Sequence, residues 1–227
     1  MSNILKLTRK RVLIDIDTQK DLLMADGCAC IRNHRRVLTN IRRIMAWART
    51  HNVPIVSTLQ INMNPKANYC VEDTRGTQKI SYTVRKDHVS FAADGYTDLP
   101  REIFKDHDQI ILAKRTFDPF EEPRAERVLT ELHADELIVI GAVTETSVKA
   151  TVLGLLQRGK RVVVIDDAIG SHDKNAAEIA IRQMQAKGAR FVETKSLAGA
   201  SHLKLVGVCK CPRCQGMLEK VENVATA

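Results

Sequence analysis

The chain has 227 residues, 44% of them hydrophobic and 27% charged, which suits one large folded domain and argues against a disordered chain. Aromatic residues make up only 4%, too few for stacking platforms on single-stranded nucleic acid, and a formal charge of +8 favours anionic contacts without bearing on fold. No apolar run approaches the roughly 18 residues needed to cross a bilayer, and MSNILKLTRKRVLIDID lacks a secretory cleavage pattern, so a soluble, cytoplasmic protein with no membrane partner is expected.

Short β-branched runs alternate with helical patterns along the chain. RVLIDID (11–17), VPIVSTL (53–59), QIILAK (109–114), ELIVIGA (136–142), RVVVIDD (161–167) and RFVETK (190–195) read as strands. Most are continuously apolar, as strands covered on both faces should be. Between the first two, Val37, Ile41, Ile44 and Ala48 recur at spacings of four, three and four, which predicts a helix with one apolar stripe. Residues 121–133, 146–159 and 174–188 read as further helices, two of them closed by glycine. The alternation predicts an α/β fold with a parallel sheet and helices on both faces. Residues 60–108 are the irregular part, rich in polar and turn residues, and a loop this long is expected to form a lid or pocket wall. The pattern stops near residue 200, which divides the chain into a domain over 1–199 and a cysteine-containing tail over 200–227.

In open α/β sheets ligands gather outside the carboxyl ends of the strands. The first strand ends with Asp15 and Asp17, the third with Lys114, and the fourth runs through Gly141 into Thr144-Glu145-Thr146-Ser147 at the start of a helix. A carboxylate, an ammonium and a hydroxyl therefore meet on one sheet edge, beside a helix N-terminus that favours negative charge. Taken singly, Asp17 reads as a turn residue, Lys114 as a solvated strand-end lysine and Ser147 as a helix cap. Their coincidence makes them the candidate catalytic residues.

Three segments resemble the isochorismatase-like cysteine hydrolases. VLIDIDTQKDLL is similar to that family's opening strand, with Asp17 as its aspartate; ILAKRTFDPF to its lysine strand, with Lys114; and GAVTETSV to its nucleophile turn. The resemblance spans about residues 10 to 199. It implies a Rossmann-like, three-layer α/β/α sandwich with a six-stranded parallel sheet in order 3-2-1-4-5-6, a non-proline cis peptide at Ala142–Val143, and hydrolysis of a small amide, ester or vinyl-ether substrate with no cofactor required. It also implies a cysteine nucleophile, and Ser147 stands in that position. A thiol has a pKa of about 8.5 that a lysine or helix N-terminus lowers readily, whereas a serine hydroxyl ionises far less easily. A neutral lysine activates serine in Ser-Lys hydrolases. Here Asp17 beside Lys114 would keep the lysine charged. Two readings follow: an impaired or atypical hydrolase, or a non-catalytic small-molecule-binding or scaffolding protein on the same fold. In either, the Ser147 hydroxyl would cap the helix starting near Thr146 or bind a ligand carboxylate.

The nicotinamidases of this family carry Asp-x-His past the second strand. The matching STLQINMNP holds neither residue, so no nicotinamidase-type zinc is expected, and His88 and His172 read as hydrogen-bonding residues near the pocket. In the tail, Cys209, Cys211 and Cys214 give a Cys-x-x-Cys spacing with a third thiol: half a structural zinc site, with Cys28, Cys30 or His202 as possible fourth ligands, or else reduced surface thiols. Arg35, Arg36, Arg42, Arg43 and Arg49 form a basic face on the first long helix that could meet phosphates in a nucleic-acid or partner-binding module, or else is a solvated face or an oligomer contact. No nucleic-acid motif accompanies it, and a homo-oligomer binding a small molecule is the expected assembly.

Overall fold

The computed structural model describes residues 9–64, 66–100 and 102–200. The chain divides into two units, Met1–Thr194 and Lys195–Ala227, and of the second only Lys195 to Ala200 are described. Cys209, Cys211 and Cys214 therefore lie outside the described residues, and nothing described supports zinc in the tail. No helix among the described residues is long and apolar enough to cross a membrane.

The first unit is an α/β fold built on a parallel sheet. Its strands are β1 (Arg9–Ile16), β2 (Ile55–Gln60), β3 (His88–Phe91), β4 (Gln109–Lys114), β5 (Ala134–Ala142), β6 (Val162–Gly170) and β7 (Arg190–Val192), in the order β3-β4-β2-β1-β5-β6-β7. All neighbouring pairs are parallel. The expected six-stranded sheet is thus corrected to seven. The added strand, β3, lies within the irregular 60–108 stretch and, among the described residues, pairs only with β4. Its sequence HVSF alternates exposed and half-buried side chains, so it lacks the apolar run that marks the interior strands.

The helices are α1 (Lys20–Leu23), α2 (His34–Thr50), α3 (Ile103–Asp106), α4 (Pro123–Glu131), α5 (Lys149–Gln157), α6 (Lys174–Ala186) and, in the second unit, α7 (Lys195–Ala198). Strand alternation divides the core in two. Ile14, Ile16, Val56 and Leu112 face one side, where Val128 of α4, Val152 of α5 and Met184 of α6 cover them. The α2 stripe Val37, Ile41, Ile44 and Ala48 is fully buried and serves the other side, where Val37 approaches Gly170 of β6. Asp173 caps α6 by accepting from Ala176 N at 2.7 Å.

The edge that gathers the candidate residues is set by two local features. β1 stops at Ile16, and Asp17 takes a left-handed φ of 46°. A strand residue two positions after Asp15 would share its face, but this conformation, which aspartate tolerates, redirects the side chain. At the adjacent end of β5, Gly141 has a φ of 129°, and a Cβ there would run into the carbonyl oxygen of Ile16. Glycine is required for β5 to pass this close to β1. The peptide Ala142–Val143 that follows is cis.

Candidate active site

Asp17, Lys114 and Ser147 come together at the carboxyl ends of β1, β4 and β5. Lys114 is the last residue of β4, in register with Gln60 of β2, and reaches across β2 toward β1. Its Nζ donates to Asp17 Oδ2 at 2.7 Å, Gln60 Oε1 at 2.8 Å and the Thr116 carbonyl at 3.1 Å, and lies 3.2 Å from Ser147 Oγ. Lys114 is 0% exposed, Asp17 1% and Ser147 3%, so this ion pair is withdrawn from water. The second oxygen of Asp17, Oδ1, accepts from Thr58 Oγ1 at 2.6 Å, and the Asp17 backbone N–H donates to the same hydroxyl at 3.2 Å. Both carboxylate oxygens are therefore engaged.

Ser147 lies on a π-type turn, Thr144–Val148, that precedes α5. The turn is fastened at three points. Thr144 Oγ1 donates to the Gly170 carbonyl at 2.9 Å, Thr151 Oγ1 donates to the Ser147 carbonyl at 2.7 Å, and Glu145 Oε1 accepts from the backbone N–H groups of His172 at 2.9 Å and Asp173 at 3.0 Å. The capping role expected of the Ser147 hydroxyl is corrected, because neither the turn nor α5 has a side-chain cap. The hydroxyl is instead turned inward to Lys114.

Sequence reasoning passed over Gln60 and Thr58. Gln60 ends β2, its backbone N–H donates to Gln19 Oε1 at 2.9 Å, and its own Nε2 donates to the Arg115 carbonyl at 3.1 Å. That second bond fixes the amide so that Oε1 faces Lys114. The available signal was register: a parallel strand two residues longer than its Ser-Thr pair had to set a polar side chain beside Lys114.

The 60–108 stretch is bound to this edge rather than looping free of it. Ile80 N donates to the Thr18 carbonyl, Gln19 Nε2 to the Thr77 carbonyl, and the Asp21 carboxylate accepts from Cys70 N at 2.7 Å and Cys28 N at 3.2 Å. A Cβ on Gly76 would strike that carboxylate. Burial, with the Asp17 charge acting next, pushes the Cys70 thiol well up, so it is held as a neutral thiol. His88, expected near the pocket, lies instead at the amino end of β3 beside Gln109, with Nδ1 2.8 Å from the Arg85 carbonyl. His172 follows β6 on the carboxyl edge and is exposed.

A zinc ion does not fit the stretch after β2. Gln60 Oε1 is already committed to an ammonium, and Asn62 donates from Nδ2 to the Tyr69 carbonyl. No group of three or more His, Cys, Asp or Glu among the described residues is placed to hold a metal.

With this geometry in place, comparison with known families is direct. The isochorismatase domain matches residues 11–196. The chain belongs to the isochorismatase family. No curated protein matches its sequence. Among solved structures it is similar to the zinc complex of Pyrococcus horikoshii pyrazinamidase, at 21% identity and a TM-score of 0.63 over 81% of this chain and 99% of that one. An isochorismatase family protein from Desulfovibrio vulgaris gives 20% identity and a TM-score of 0.66 over 84% and 97%. The MAR1 ribonuclease of Caenorhabditis elegans gives 20% and 0.59 over 94% and 90%. At these identities the likeness is one of fold.

Proposed function

We propose that this isochorismatase-family chain is a hydrolase of a small amide, ester or vinyl-ether substrate, impaired because Ser147 stands where the family carries its cysteine nucleophile. Family membership supports the hydrolase class, as do the pyrazinamidase and nicotinamidase structures among its neighbours. The observation that carries the impairment is the crowding of Lys114 Nζ. An ammonium has three N–H donors, and three acceptors lie closer to it than Ser147 Oγ does. Attack by Oγ on a carbonyl carbon requires the hydroxyl proton to leave. Lys114 as the ammonium has no lone pair to receive it, and Asp17 is occupied at Oδ2 by Lys114 and at Oδ1 by Thr58. The same surroundings would suit a thiol, whose anion an adjacent ammonium stabilises directly.

The test has two arms. A serine-reactive fluorophosphonate probe should leave the native protein unlabelled, and Ser147→Cys should hydrolyse members of a small-amide panel that the native protein leaves intact. Rapid stoichiometric labelling that is lost in Ser147→Ala would restore a working serine hydrolase. A folded Ser147→Cys protein with an alkylatable thiol but no hydrolysis would favour the non-catalytic binding protein on the same fold.

A further inference from the structure

The face of α2 turned to solvent is unusual in its charge. The helix sequence HRRVLTNIRRIMAWART contains five arginines and no acidic residue. Arg35, Arg42 and Arg49 are exposed and recur every seven residues, so they form one stripe with steps of about 10.5 Å along the axis. None of the three, nor the exposed Arg36, forms an ion pair with any described residue. Elsewhere in the first unit the exposed Arg161 and Arg190 are matched to Asp135 and Glu136. Composition alone allows a solvated face; the structure adds order to it. Tyr82 lies across the helix with its hydroxyl donating to the Leu38 carbonyl at 3.0 Å. The Arg42 guanidinium stacks on its ring at 4.9 Å, and Arg49 Nη2 donates to its carbonyl. Two of the three guanidiniums are held in place before anything binds, which lowers the entropic cost of engaging them.

We propose that this face of α2 binds the phosphodiester backbone of a nucleic-acid duplex, through Arg35, Arg42 and Arg49. A duplex carries one charge per about 1.7 Å of axis, so a stripe about 21 Å long meets phosphates in any register. The alternatives lack their own requirements. A protein interface needs apolar anchors beside the charge, and a helix lying in a membrane interface needs an apolar face turned to the lipid. The large exposed apolar residues of the described chain are Met63, Tyr96, Phe117 and Ile179, and none lies on α2. A single strand would need free aromatic faces, and Tyr82 is covered by Arg42.

The experiment is fluorescence anisotropy with short labelled RNA and DNA duplexes of one sequence, titrated with the full chain across a salt series. Arg35→Ser/Arg42→Ser/Arg49→Ser is compared with Lys174→Ser/Arg182→Ser/Lys187→Ser. The second variant removes the same charge from α6 and its C-cap Lys187, and Lys174 and Arg182 are exposed on the opposite side of the sheet. Circular dichroism checks that both variants fold. The expected result is a loss of at least about tenfold in affinity at low salt for the stripe variant alone, with a salt slope shallower by about 2 to 3 because each lost phosphate contact removes about 0.9. Contrast between the two duplexes then identifies RNA or DNA as the preferred source of the backbone. Equal weakening by both variants reduces the effect to net charge and overturns the proposal. So does unchanged binding by the stripe variant, or native binding to anionic lipid vesicles as tight as to either duplex and lost with the stripe.

Discussion

Two buried acid–base pairs are built on Asp15 in β1 and on Asp17 just past its end, and their surroundings differ. Asp17 meets Lys114 at 2.7 Å, and Asp15, two residues earlier, meets Lys79 at 2.9 Å; every side chain in both pairs is almost wholly buried. The first pair sits at the sheet edge with both carboxylate oxygens engaged and a hydroxyl, Ser147, against the ammonium. The second lies on the other face, where Asp15 Oδ2 also accepts from Ser57 Oγ at 2.8 Å, and Oδ1 makes no hydrogen bond among the described residues. Lys79 Nζ also donates to the Thr58 carbonyl at 3.3 Å. The Asp15 pair thus fastens the 77–83 segment to β1, and the bond from Lys79 to the Thr58 carbonyl ties it to β2 at the residue whose hydroxyl orients Asp17. Composition does not distinguish these two pairs; what each ammonium has left to touch does.

The largest expected effect tests the fastening role. Lys79→Met strands the Asp15 carboxylate in the interior and should cost about 3–5 kcal/mol in urea unfolding. Asp15→Asn/Lys79→Met removes both charges and should recover much of that loss. A single variant as stable as the native protein would mean that the pair holds nothing down.

The next effect separates the two hydroxyls that serve the carboxylates. Thr58→Val removes a charge-assisted bond to Asp17 and should cost about 1.5–3 kcal/mol. Ser57→Ala removes the matching bond to Asp15 and the Ser57 acceptor of Gln109 Nε2, but Lys79 still pairs with Asp15 at 2.9 Å and Gln109 Nε2 still donates to the Thr83 carbonyl at 2.9 Å. Its cost should be nearer about 1 kcal/mol. If Ser57→Ala proves the more damaging of the two, the ranking of the pairs is reversed. At the turn itself, Glu145→Gln should destabilise by about 1 kcal/mol, since a neutral amide oxygen accepts the His172 and Asp173 N–H groups less strongly than a carboxylate does.

This comparison also marks how far the sequence could be read. Alternating apolar runs and helices give the parallel sheet, and three motifs on successive strand ends give Asp17, Lys114 and Ser147. The missed parts share one cause. β3, α1 and α3 are four residues each, too short to register as a period, and their stability comes from neighbours. Lys79 sits in a polar loop and reads as a solvated lysine; nothing local announces that the loop folds back antiparallel to Gln19 and buries it. Asp15 and Asp17 look alike, two residues apart, until the left-handed turn at Asp17 sends one to each side of the sheet.

The smallest effect uses two tyrosines as separate reporters of the two pairs. Burial pushes the Tyr82 phenol up to about 12, against the lowering influence of Arg42, and the Asp15 charge adds to the rise. Tyr69 is also raised, mainly by burial and then by Cys70 and Asp17. Ultraviolet titration of tyrosinate should therefore show Asp15→Asn bringing down the Tyr82 transition and leaving that of Tyr69 in place, and Asp17→Asn doing the reverse; Tyr82→Phe and Tyr69→Phe assign the two. The sign of the stability change follows from the same shift. A phenol whose pKa is higher folded than unfolded binds its proton more tightly in the native state, so its contribution is whole below the ordinary value of about 10 and is lost as pH rises toward about 12. Tyr82→Phe should flatten that alkaline decline. Both transitions moving together in either aspartate variant would show the two pairs to be one coupled cluster, and the division drawn between them would fail.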